Sequence, residues 1–165
     1  MKSYQAHGGT WLKVSSALAT LLMIGSTGLV VWLVPIGWVK LLILVLIPLE
    51  VLAAALFTVR SYTITETELL IQRLFWKTRI PLHGLKSAQI DTDAFKKCIR
   101  TCGNCGLFSV TGFYYSKSVG AFRAFATGMK NPVVLRFEKR TVVITPSDPE
   151  AFVADIRKQA HCSEA

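Results

Sequence analysis

Cys98, Cys102 and Cys105 follow the spacing C-x3-C-x2-C. Three thiolates so placed can ligate three irons of a four-iron cluster and leave the fourth open to chemistry. Such clusters are housed in large barrels, whereas only 60 residues follow Cys105. Nothing completes a zinc site either: there is no second Cys-x2-Cys or His-x3-His pair, and Cys162 lies far along the chain. Ordinary reduced cysteines are therefore expected, with no metal and no cofactor; a cysteine-based metal or redox sensor stands as an alternative. His83 has no nucleophile at motif spacing, and no glycine-rich phosphate loop follows a strand pattern. Before Gly84 it reads as a turn residue. The sequence points to no enzyme.

A second group of residues suits binding. Arg73-Leu74-Phe75-Trp76-Lys77-Thr78-Arg79 reads as a hairpin tip with aromatics set between cations. Arg73, Phe75, Trp76, Lys77 and Arg79 are expected to face lipid headgroups or a partner groove; the alternative folds Phe75 or Trp76 back into a core. From Arg60 onward the chain carries 16 Lys and Arg against 9 Asp and Glu. Beside an anionic leaflet, attraction of about 1 kcal/mol per well-placed cation, screened over about 8 to 10 Å, would hold this region near the membrane. Lys96-Lys97-x-x-Arg100 reads as a solvated basic loop, and no nucleic-acid reading motif is present.

These groups must be positioned by the rest of the chain, and its first third is apolar. Val14 to Val34 and Trp38 to Val59 leave only Pro35-Ile36-Gly37 between them. About 20 residues rising about 1.5 Å each cross the roughly 30 Å hydrocarbon core, so the pattern predicts a two-helix transmembrane hairpin. The rival reading of the first stretch is a secretory signal, with Lys2 and Lys13 as basic flank and Ser26-Thr27-Gly28 as cleavage site. Lys2, Lys13, Arg60, Arg73, Lys77 and Arg79 flank the hairpin on one side against Lys40 on the other, which predicts both termini in the cytoplasm.

Glu50 lies inside the second span, where a carboxylate is costly, and Pro48 frees a carbonyl near Leu44. A turn near Ile36 brings Glu50 to the depth of Met23, with Thr20 and Thr27 one turn away on either side. Their hydroxyls are expected to hydrogen-bond the Glu50 carboxyl group, or else Glu50 meets a neighbouring subunit.

After the hairpin, β-branched alternation predicts seven short strands near 61–65, 68–73, 77–81, 85–91, 119–127, 133–137 and 141–145. Ser147-Asp148-Pro149-Glu150 then starts a helix, capped either by Ser147 with Glu150 or by Asp148 with Pro149 at its first position. Phe152, Val153, Ile156 and Ala160 give it one apolar face.

The segments Arg100 to Tyr115, with Gly106-Leu107-Phe108 and Gly112-Phe113-Tyr114 as its markers, Phe122 to Thr127, and Thr145-Pro146-Ser147-Asp148-Pro149-Glu150-Ala151-Phe152-Val153 resemble the bacterial pleckstrin-homology (PH) domain proteins. The resemblance spans about residues 61 to 158. It implies a PH-like seven-stranded bent sheet or barrel capped by a C-terminal α-helix, often behind a two-helix anchor, in an α+β membrane protein of the bacterial inner membrane. The loop matching the eukaryotic inositide pocket, Thr65-Glu66-Thr67-Glu68, is short and acidic, so stereospecific inositide binding is not expected.

The expected organisation is an N-terminal tail over 1–13, spans over 14–34 and 38–59, a PH-like domain over 61–160 and a tail over 161–165. The expected function is a non-catalytic interaction or scaffold module. It docks a membrane or cytosolic protein or forms a homo-oligomer, touches anionic lipid non-specifically, and has Phe108, Phe113 and Tyr114 in its partner-facing segment. The alternative is an accessory subunit bound through the hairpin by Glu50, Gly25, Ser26 and Gly28.

Overall fold

The computed structural model describes residues 2–8, 10–33, 37–105 and 109–162. Helices α1 (Thr10–Leu33) and α2 (Gly37–Leu56) are apolar around their circumference, with mean hydropathy 1.8 and 2.5 over Val14–Leu33 and Gly37–Leu56. A core helix of a soluble protein would be enclosed, yet only 6% of the first span and none of the second is buried. The two helices are consistent with a membrane anchor. Helix α2 continues through Pro48 and ends at Leu56, and Thr58 N–H donates to the Ala55 carbonyl at 3.1 Å in a tighter last turn. Val59, expected inside the second span, is instead buried in the globular core.

The globular part holds ten strands among the described residues, in two sheets, and not the expected seven in one. The first sheet has the order β1 (Lys2–Gln5), β2 (Ser61–Ile64), β3 (Glu68–Gln72) and β4 (Lys77–Pro81), all antiparallel. Strand β1 comes from the stretch expected to be a tail. It pairs with β2 from Lys2↔Ile64 to Gln5↔Ser61, so the chain entering α1 and the chain leaving α2 lie side by side. The second sheet has the order β5 (Leu85–Ile90), β9 (Val133–Phe137), β10 (Thr141–Ile144), β8 (Gly120–Ala126), β7 (Val110–Ser116) and β6 (Ile99–Cys105). Its pairs are antiparallel except β8 with β10, which run parallel. The missed strands are β1, β6 and β7: the first is short and polar, and Gly103 and Gly112 interrupt the other two.

The strands alternate into two cores. Leu69 and Ile71 of β3, Phe125 of β8, Leu135 of β9 and Ile144 of β10 face the space between the sheets, which α3 (Pro149–Cys162) closes with Phe152, Val153 and Ile156. On the far face of the second sheet, Phe122, Ala124, Val134 and Val143 pack under Ala94 and Phe95. Strands β9 and β10 are covered on both faces, which accounts for their unbroken runs Val133-Val134-Leu135 and Val142-Val143-Ile144. The Tyr62 hydroxyl ties the sheets together: it donates to the Phe125 carbonyl at 2.5 Å and accepts from Thr145 N–H at 3.3 Å. Of the two expected caps for α3, Asp148 is the one formed, its Oδ1 accepting from Ala151 N–H at 3.0 Å with Pro149 first in the helix.

Candidate functional site

Period-2 alternation in β3 buries Leu69 and Ile71, and one step further it turns Arg73 inward as well. Arg73 N–H then donates to the Trp76 carbonyl at 3.0 Å, closing a four-residue turn with Leu74, Phe75 and Trp76 at its tip. In β8 the same rule puts Arg123 and Phe125 on one face and Phe122 and Ala124 on the other. Both arginines therefore meet one ring. The guanidinium carbon of Arg73 is 5.4 Å from the Phe125 centroid and that of Arg123 is 4.8 Å from it.

The surroundings of this pair are aromatic. Arg73 also lies 5.3 Å from the ring of Phe57, just past the end of α2, and 5.8 Å from Trp76; Phe57 and Trp76 meet edge-to-face at 5.2 Å. Arg123 lies 5.3 Å from Phe113, its register partner on β7. Arg73 is 8% exposed, and its Nε has no hydrogen-bond partner. Burial, then the charge of Arg123, pulls the Arg73 guanidinium below its ordinary pKa. Among the described residues no carboxylate pairs with either arginine.

Two adjoining cavities open here. One, of about 410 Å³, runs from Ala53, Ala54 and Phe57 up to Arg73 and Arg123. The other, of about 720 Å³, shares Arg123, Phe113 and Cys102 with the first and extends to Arg79 of β4 and to Lys139 and Arg140 of the β9–β10 turn. The result is one groove, apolar where it meets α2 and cationic further out.

The sequence-derived candidates fall in different places. Arg73 and Phe113 line the first cavity and Arg79 the second. Phe75 is 78% exposed at the turn tip, with Trp76 and Lys77 also exposed beside it. Tyr114 was expected to face a partner and does not: it is 2% exposed, stacked on Phe122 at 5.7 Å in the second core, because alternation along β7 sends it opposite to Phe113. Phe108 lies outside the described residues. Cys98 packs against the second core and Cys102 is exposed in the groove wall, while the Cys105 side chain lies outside what is described. His83 is exposed in the turn before Gly84, whose φ of 76° suits glycine.

In the helical pair, Thr20 and Thr27 donate to the Ser16 and Met23 carbonyls of their own helix, at 2.8 and 2.5 Å. Glu50 is exposed on α2 and bonds to no described residue, so the hydroxyl–carboxyl contact is not made within one chain. Depth along a helix pair does not set which way each side chain points. Sequence reasoning missed Arg123, Phe125 and Phe57; the alternation Phe122-Arg123-Ala124-Phe125 was the available signal for the first two.

The profile of the bacterial PH-domain family matches residues 60–160, from the strand after α2 to the last turns of α3. The chain belongs to the bacterial PH-domain family. No curated protein and no solved structure gives a significant match. PH domains are generally non-catalytic interaction modules. In this chain the PH domain's first sheet is extended by β1, which lies before the helices and outside the matched span. The groove lies where the PH domain meets the end of α2.

Proposed function

We propose that this chain is a non-catalytic, membrane-anchored interaction module on the cytoplasmic face of the bacterial inner membrane. The α1–α2 pair holds the PH domain at the bilayer, and the domain docks a protein or a second copy. The observation that carries the docking role is the β6 edge of the second sheet. Strand β6 has no outer neighbour among the described residues. Ile99 and Tyr115 face one another across β6 and β7, 67% and 50% exposed, with Phe113 two residues along from Tyr115. An unpaired strand edge beside exposed apolar side chains favours pairing with another chain. Anchoring is supported by the two uncovered apolar helices and by the excess of Lys and Arg beside their ends.

A photo-crosslinking amino acid placed at Tyr115 in cells tests the reading. A discrete adduct, with another protein or at twice the chain mass, is expected; its absence at both Tyr115 and Ile99 rejects edge docking. A second reading, an accessory subunit held through the hairpin, is favoured by Glu50, exposed on α2, and by Gly25 and Gly28, where an added Cβ would meet nothing within 4 Å.

A further inference from the structure

We infer that the cavity between Arg73, Arg123 and the end of α2 is a binding site for one anionic phospholipid, its phosphate between the two guanidinium groups and an acyl chain along Ala53 and Ala54. This deepens the anchored reading above and rests on it for the position of α2 at the bilayer.

The arginine end of the cavity suits a phosphate. Arg73 lines the cavity, is more than nine-tenths buried, and its buried Nε has no hydrogen-bond partner. Guanidinium groups present fixed forks of N–H donors that match phosphate oxygens, and two of them against one ring leave positive charge unanswered. Aromatic faces stabilise such charge in part but supply no oxygen acceptor. Among the described residues no carboxylate pairs with either arginine, so none competes with a phosphate for them.

The other end of the cavity sets the kind of anion. Ala53 and Ala54 lie within one turn of the end of α2, and twenty residues at about 1.5 Å each place that turn at the edge of the hydrocarbon. The exposed tip Leu74-Phe75-Trp76 sits at the same level through the Phe57–Trp76 contact, as aromatics do at the headgroup layer. A ligand that is apolar at the α2 end and anionic at the arginine end is a lipid of the adjoining leaflet. About 410 Å³ accommodates a headgroup phosphate with part of a chain.

The test uses the full chain in non-ionic detergent, with native mass spectrometry and equilibrium titration of phosphatidylglycerol, phosphatidylcholine and inorganic phosphate. One phosphatidylglycerol per chain is expected to be retained, about tenfold or more tighter than phosphatidylcholine, which carries the same phosphate but adds a trimethylammonium cation that the two arginines repel. Arg123→Gln, at an exposed position that folding tolerates, should weaken retention by about tenfold. Ala53→Trp, which fills the apolar end, should weaken lipid binding and leave inorganic phosphate unchanged. Equal affinity for inorganic phosphate together with no effect of Ala53→Trp would show a free-anion site and overturn the lipid assignment. Equal retention of both lipids, or unchanged retention in Arg123→Gln, would overturn it too. Should retention fail while the chain still sediments with membranes and still crosslinks through Tyr115, the lipid site alone is rejected and the anchored module stands.

Discussion

Lys2 Nζ lies 2.8 Å from Asp155 Oδ1, joining residues 153 positions apart, the one in the first strand and the other in the last helix. The Tyr4 hydroxyl donates to the other oxygen of the same carboxylate, and the Tyr4 ring meets Phe152 edge-to-face at 5.2 Å. Backbone bonds complete the attachment: Ala6 N–H to the Arg60 carbonyl and His7 N–H to the Thr145 carbonyl, each at 2.9 Å.

This attachment should depend on pH at both ends of the scale. The hydrogen bond from Lys2, then that from Tyr4, holds the Asp155 carboxyl below the usual carboxylate range. A value lower in the folded chain than in the unfolded one gives a stabilisation that is whole above about pH 4 and is lost as pH falls through the folded value. Tyr4 is pushed up to about 12, first by burial and then by the bond to Asp155, so its contribution is whole below about pH 10 and disappears as pH rises through 12. Amide-exchange protection at Ala6 and His7 should drop as the pH falls below about 4, ahead of protection in β9 and β10, and Asp155→Asn should abolish that early drop. Parallel loss in all strands would disprove it.

Tyr62→Phe keeps the ring and removes only the hydroxyl. The Phe125 carbonyl and Thr145 N–H then lose a buried partner, at a cost of about 1 to 3 kcal/mol. Phe152→Ala, which empties a fully buried position between Tyr4 and Tyr62, should cost about 3 to 5 kcal/mol. Denaturant midpoints of the two variants in detergent would rank them, and a Tyr62→Phe change within experimental error of the parent would show that the sheets are not joined there.

Phe75→Ser alters an exposed residue with no role in either core. Stability should move by less than about 0.5 kcal/mol. Under the proposed anchoring, quenching of Trp76 fluorescence by lipids brominated near the headgroup should nonetheless fall, because Phe75 is the most exposed apolar side chain of the turn. Unchanged quenching would place the tip away from the lipid.

Glu50→Gln should leave thermal unfolding of the isolated chain in detergent unchanged, since no described residue bonds to the carboxylate. Blue-native gels of solubilised membranes separate the two readings of the hairpin. A larger assembly that survives the substitution assigns assembly to the PH domain, and one that dissociates assigns it to the helices.

What the sequence disclosed depended on how local the determining contacts are. Strands β2 to β5 and β8 to β10 carry their own alternation, and Asp148-Pro149 marks the start of α3. Strand β1 has only Lys2-Ser3-Tyr4-Gln5, and its partners lie beyond the apolar hairpin, so nothing nearby marks it. Half of the groove was legible. The step from Leu69 and Ile71 to Arg73 is simple alternation, but the cationic tip drew the residue outward in the reading. That Arg73 meets Arg123 on one ring depends on how the two sheets pack, which no local pattern encodes.

The pairing of β1 with β2 also bears on how the polypeptide is made. Strand β1 leaves the ribosome before either helix, yet the residues that hold it, Thr145 and Asp155 among them, emerge last. Such a distant closure is entropically slow and comes after local structure has formed. If only one of the two helices entered the bilayer, the strand and its partners would be stranded on opposite sides of some 30 Å of hydrocarbon. The edge of β2 would then stay bare, so a complete first sheet requires the two outer ends of the helical pair to lie on the same side.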